Sequence, residues 1–309
     1  MEFRTVVNIE KGFPISHNDR IMLLGSCFTD EIGSRLERRY FNPCVNPFGA
    51  LYNPISIAKA IDCLINKPKF SEDDLFEHNG LWHSFMHHSR FSSKSKETAL
   101  DNINASFSKA KEFFKTANVF IITFGTAFIY SLADSGEIVA NCHKLPASTF
   151  VRRKISIDEI THRWSSLIKT INKINPNARI IFTVSPIRHL ADGAHGNQSS
   201  KATLLLAIDK LIEQNQTCSY FPSYEIVLDE LRDYRFFAAD MKHPSDVAVD
   251  YIFERFAETY FSKETISKLK DFEKLWKMKN HIPMTDNLDE IKKFNEKISL
   301  LEIALGLKG

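Results

Sequence analysis

Short apolar runs alternate with longer segments whose apolar positions recur every three or four residues, along nearly the whole chain. Runs such as "RIMLLG" (20–25), "NVFIITFG" (118–125) and "ARIIFTVSP" (178–186) lack polar alternation and read as strands buried on both faces. Between them, 30–40, 53–65, 96–117, 156–174, 199–214 and 245–261 carry helical spacing, the second opening on Asn53-Pro54, a cap and first-turn pair. "FNPCVNPFG" (41–49) reads as a short strand entering a Pro/Gly turn, and 127–142 as a hairpin around Asp134-Ser135-Gly136. "YEIVLDEL" (224–231) is the expected last strand. Strands alternating with helices predict an α/β fold with a mostly parallel sheet and helices on both faces.

Two stretches break the pattern. Residues 67–95 show no clean period and read as an insertion over the sheet edge. From residue 262 the chain turns Lys/Glu-rich and helical, so the expected organisation is a main domain over 1–262 and a charged helical extension over 263–309.

Composition narrows the function classes. With 43% hydrophobic residues, 25% charged residues and a net charge of +2 of mixed sign, the chain offers no broad basic field for nucleic acid. No apolar run approaches the roughly 20 residues of a membrane helix, and the first 20 residues lack the basic–apolar–small order of a signal peptide. Five cysteines at 27, 44, 63, 142 and 218 form no CxxC pair, and with the absent signal they predict a reducing, cytoplasmic setting with free thiols. No Gly-rich phosphate loop is present, so no nucleotide cofactor is expected. His83, His87 and His88 have i, i+4 spacing on an expected helix, but no neighbouring Asp, Glu or Cys completes a zinc set, and no metal is expected.

Chemistry gathers in two places. "GSCFT" ends the first strand and sets Ser26 and Cys27 at the entry to a helix, while "DMKHPS" sets Asp240 three residues before His243. That spacing lets a carboxylate hold one imidazole nitrogen and leaves the other as a base. A further pair, Arg188 and His189, follows a buried strand and so falls where ligands of α/β sheets bind.

"GSCFT" and "DMKHPS" together resemble the SGNH/GDSL hydrolase superfamily. The stretches "LLGSCFTDEIG", "NPFGALYNP", "LWHSFMHHSRF", "TFGTAF", "VANCHKLP", "FTVSPIRH" and "NQSSKATL", with the segment around "DMKHPS", resemble its GSCFA-domain branch over roughly residues 20–260. The resemblance implies a three-layer α/β/α, flavodoxin-like fold and a covalent acyl-enzyme. Aligned on Gly-Asp-Ser-Leu-Thr without a gap, it puts Cys27 on the nucleophile and Ser26 beside it as helix cap or oxyanion donor; slipped by one, it makes Ser26 the nucleophile. A thiol at a helix N-terminus beside a histidine is expected to favour thiolate. Oxyanion donors are expected from Gly49 and from Asn141, since Gly125-Thr126-Ala127 lacks the third block's Asn. Gly125, His143, Arg188 and His189 are the expected substrate-binding residues.

The leading expectation is an esterase, thioesterase or acyltransferase acting on a small-molecule or glycan acyl substrate, with His243 moving the proton and Asp240 holding its tautomer. Two alternatives stand beside it. One is a binding module that keeps the fold without catalysis; the other is a metal-dependent hydrolase built on the His83/His87/His88 cluster. The sequence leaves oligomeric state and acyl donor open.

Overall fold

The structure, a computed structural model, describes residues 5–281 and 287–307. Strands β1 (Ile21–Gly25) and β2 (Cys44–Val45) come first, separated by helix α1 (Cys27–Glu37) and followed by α2 (Pro54–Asn66). The hairpin β3 (Phe76–His78) and β4 (Leu81–His83) precedes α3 (Lys96–Phe114) and β5 (Val119–Phe124). Next come β6 (Phe128–Leu132), β7 (Ile138–Val139), β8 (Phe150–Lys154) and α4 (Ile157–Ile174). Then β9 (Arg179–Val184), α5 (Gly193–Gln214) and β10 (Cys218–Phe221) lead to a helical turn, α6 (Ser223–Glu225), that widens over Ile226–Glu230. Helices α7 (Asp246–Tyr260), α8 (Lys263–Lys279) and α9 (Leu288–Ala304) end the described chain.

Among the described residues, five strands form one parallel sheet in the order β10-β9-β5-β1-β2. Successive side chains of a strand point to opposite faces, so the apolar runs feed two cores. Met22, Leu24, Phe120, Ile122, Phe182 and Val184 pack with residues of α2, α3, α4 and α5, around Trp164. Ile21, Leu23, Val119, Ile121 and Ile181 pack with α1 and α7 on the other face. The expected three-layer α/β/α, flavodoxin-like architecture is therefore observed. Because β1 lies between β2 and β5, connections leave it in both directions, and the crevice at its carboxyl end is where such sheets bind ligands.

The small antiparallel sheet β7-β6-β8 rises from the end of β5. Only its first hairpin was expected. Strand β8 reads "FVRRK", exposed over most of its length, and so lacks an apolar signal. Two further expectations are corrected. Residues 224–231 are helical, because Ile226, Val227 and Leu231 face the core at helical spacing; the last strand is β10, just upstream. The segment holding His83, His87 and His88 is a strand end and turns rather than a helix.

Helix α8 follows α7 after Phe261 and buries Phe272 and Leu275; Arg39 pairs with Glu273 at 3.0 Å. No described helix is long and apolar enough to cross a membrane.

Candidate active site

The turn between β1 and α1 is crowded. A Cβ on Gly25 would lie 2.5 Å from the Thr123 carbonyl and 2.6 Å from Thr29 Oγ1, so only glycine lets β1 end against β5. Asn46 holds the turn: its Oδ1 accepts from the Gly25 amide at 2.9 Å, and its Nδ2 donates to Asp30 at 2.9 Å. Ser26 and Cys27 then diverge. Ser26 is fully buried, and its hydroxyl donates inward to Ser185 Oγ at 3.1 Å rather than capping α1. Cys27, the first residue of α1, reaches the surface cleft.

The partner of Cys27 comes from the other end of the fold. After a short turn at Tyr234–Phe236, the chain forms a closed loop in which the Ala238 amide donates to the His243 carbonyl at 2.8 Å and the Ser245 amide to the Phe236 carbonyl at 2.8 Å. Ser245 caps α7 by accepting from the Ala248 amide. Within the loop, Asp240 Oδ1 accepts from the amides of His243 (3.0 Å) and Lys242 (2.9 Å), while Oδ2 accepts from His243 Nδ1–H at 2.5 Å. These bonds, the His243 amide's first, hold the Asp240 carboxyl well below the usual carboxylate range. With Nδ1 protonated, the lone pair of His243 Nε2 faces Cys27 Sγ at 3.6 Å.

The expectation of a standing thiolate is corrected. Burial pushes the Cys27 thiol up, and the charges of Asp30 and Glu31 add to the rise; the amides of Cys27 and Phe28 oppose it without cancelling it. The resting group is a thiol that needs a base, and His243 is placed to be one.

Cys27 and His243 open into a cleft of about 500 Å³. One wall is the small sheet, through Phe128, Tyr130, Val139 and Arg152; the others carry Tyr52, Asn53, Asn141, Cys142, Arg188, His189 and Asp192. Arg152 pairs with Asp192 across it. Asn141 Oδ1 accepts from the His143 amide at 3.0 Å, which leaves its Nδ2 as a donor on the cleft wall. Beside Gly125, 3.4 Å from where a Cβ would stand, His189 Nε2 is buried and has no hydrogen-bond partner among the described residues. Burial, with the charges of Lys201 and His243, lowers the His189 pKa to about 4, so the ring is neutral near pH 7.

Two expected residues lie elsewhere. The Gly49 amide closes a turn onto the Asn46 carbonyl at 2.7 Å, so it is not free to donate to an oxyanion; its left-handed φ of 79° and its contact with His88 explain the glycine. His143 is buried behind the cleft, donating from Nε2 to the Ser84 carbonyl at 2.8 Å and packing on His83 at 4.5 Å, so it does not meet a substrate. Gly125 is floor rather than contact: its amide donates to the Tyr52 carbonyl and its own carbonyl accepts from Lys201, both within 2.8 Å. The ring nitrogens of His83 are bonded to Ser92 and to the His78 carbonyl, and Nδ1 of His87 to Ser84, so these side chains are tied into the fold.

Sequence reasoning missed three residues. Asn46 orders the turn, Tyr52 lines the cleft with a phenol pushed up to about 12 by burial and by the Cys27 charge, and Lys201 lies beneath. The Lys201 ammonium, fully buried, donates to the carbonyls of Gly125 and Ser185, each at 2.7 Å, and so ties the carboxyl ends of β5 and β9 together. Burial lowers its pKa to about 7.

A doubly wound parallel sheet with a thiol, an imidazole and a carboxylate aligned at its carboxyl edge defines the class of α/β protein to which this chain conforms. The match of the GSCFA family model to residues 20–256 is more particular, and the chain belongs to the GSCFA family. No curated protein matches it. Among solved structures it is similar to a carbohydrate esterase family 3 protein from Talaromyces cellulolyticus, at 10% identity and a TM-score of 0.37 over 82% of this chain and 99% of that one. An acetyl xylan esterase, Est2A, from the rumen bacterium Butyrivibrio proteoclasticus gives 12% identity and a TM-score of 0.34 over 82% and 64%. A carbohydrate esterase family 2 enzyme with a carbohydrate-binding domain, from Corynascus thermopiles (Myceliophthora fergusii), gives 16% and 0.30; the chain spans 38% of its length, and 50% of this chain is covered.

Proposed function

We propose that this protein moves an acyl group from an ester through a thioester on Cys27. The observation that carries the reading is the line Cys27 Sγ–His243 Nε2–His243 Nδ1–Asp240 Oδ2, with spacings of 3.6 and 2.5 Å at its two contacts. Cys27 attacks the ester carbonyl carbon while its proton passes to His243 Nε2. Two donors are offered to the developing oxyanion: the Cys27 amide, which at the first position of α1 has no helical acceptor, and Asn141 Nδ2 on the wall of the same cleft. Collapse breaks the bond to the alkoxide, which leaves with the proton from His243. Water then attacks the thioester, His243 takes its proton, and the acid is released as the thiol is restored. An alcohol in place of that water would make the same site a transferase. Asp240 keeps Nδ1 protonated throughout and balances the imidazolium charge.

The test is intact-mass analysis of the protein mixed with acyl esters and acyl thioesters, the adduct then mapped to a peptide. An acyl mass on Cys27 supports the reading, and Cys27→Ala must lose it. An adduct on Ser26 would overturn it. Absence of both adduct and turnover across the panel would favour the binding-module reading.

A further inference from the structure

Two arginines line the cleft, and they begin alike. Arg152 has its Cζ over Phe128, 4.0 Å from the ring centroid, and its Nη2 pairs with Asp192. Arg188 has its Cζ over Phe237, 3.9 Å from the ring centroid, with Tyr234 at 5.3 Å, but its guanidinium meets no acceptor among the described residues. Its backbone fixes it to the catalytic loop, through a 3.2 Å bond from its amide to the Lys242 carbonyl. A guanidinium stacked on rings has its faces covered, while its N–H donors, which lie in the plane, remain directed outward in a fork that matches a carboxylate or phosphate. Arg152 shows what such an edge does in this cleft when an anion is present. Arg188 is the same device with its place for the anion open, beside His243 and on the wall of the same cavity.

We infer that the substrate is an acidic one: an acyl ester whose alcohol portion carries a carboxylate or phosphate that pairs with Arg188 while the ester carbonyl meets Cys27. This deepens the acyl-transfer reading and rests on it for where the ester lies. Aromatic side chains at Tyr52 and Tyr130 line the cleft between the two ends and suit the apolar face of a hydroxyl-rich body such as a sugar ring.

The experiment has a binding arm and a turnover arm. In the first, Cys27→Ala protein is titrated by calorimetry with glucuronate, glucose 6-phosphate and glucose. At least one anion is expected to bind about tenfold or more tightly than glucose. Which anion wins tells carboxylate from phosphate. The gap closes in an added Arg188→Met change, is partly kept in Arg188→Lys, and narrows as salt rises from about 50 to 300 mM. In the second arm, wild-type protein is given the acetylated forms of the three compounds, and the preference appears in KM more than in kcat. Equal binding of all three compounds would overturn the inference. So would a uniform loss in Arg188→Met, which would leave Arg188 only a prop for the loop. Anion preference in binding without turnover of any ester would sustain the anion site and count against the Cys27 chemistry instead. Turnover without anion preference would do the reverse.

Discussion

Histidines gather in two regions of this molecule, and their surroundings give them opposite characters. His243 stands in an exposed loop, with a carboxylate on one nitrogen and a thiol on the other. His83, His87 and His143 lie within the 76–92 segment and against it, among Phe48, Phe70, Phe76 and Phe91. Burial lowers the pKa of His87 to about 3 and of His143 to about 4, so both rings are neutral filler with one or two hydrogen bonds. Residue type alone does not separate the two groups. What separates them is whether the ring has a charge partner and an open side, and the pair proposed to react is the one that water reaches.

The sharpest way to break this contrast is Asp240→Asn. The proton on Nδ1 is no longer enforced, so ester turnover should fall by about 10² to 10⁴. Because both side chains are half exposed and water screens the pair, the melting temperature should move little. A steady-state assay beside a thermal melt checks both halves, and a large loss of stability would mean the pair is structural.

His87→Ala should do the opposite. Removing a buried ring that packs on Phe48 and Phe70 should cost about 2 to 4 kcal/mol in denaturant unfolding. Turnover per folded molecule should stay near wild type. A selective loss of turnover would place His87 in the chemistry after all.

A third prediction concerns acid. Unfolded histidine takes a proton near pH 6.5, whereas His87 and His143 in the fold resist until about 3 and about 4. Between those limits the unfolded chain binds more protons, so stability must fall as pH drops from about 6.5 toward 4. Melts from pH 7 to 5 should show a decline of several degrees, and His143→Phe should flatten it. A smaller effect belongs to Cys27. With its thiol raised, the rate of iodoacetamide labelling should keep climbing above pH 9 rather than levelling off, as peptide mass analysis would reveal.

How much of this could be read from the chain differs by residue. The three buried strands announce themselves because a parallel strand covered on both faces has no polar alternation. Strand β8 does not, since four of its five residues are exposed and "VRRK" reads as a polar connection. Residues 224–231 mislead for a physical reason: a short apolar segment fits a strand or a single helical turn equally well, and only its neighbours decide. The site follows the same division. Cys27, Asp240 and His243 carry their chemistry in type and spacing. Asn46 acts through a left-handed backbone (φ 41°) and Lys201 through total burial in the middle of a helix, and neither leaves a local trace. The thiol's acidity is not legible in the motif, because burial, which no motif encodes, outweighs the helix terminus.

The two halves of the proposed reacting pair lie 216 residues apart in the chain. A ribosome adding about 5 to 20 residues each second takes roughly 10 to 40 seconds to pass from one to the other. Throughout that interval the nascent polypeptide exposes a cysteine with no base to awaken it. Asp240 and His243, three residues apart, emerge together, and bringing them to Cys27 completes the proposed centre late. On the proposed chemistry, a chain that ends before His243 has the thiol without its base, and the first turnover would report that these two distant segments have met.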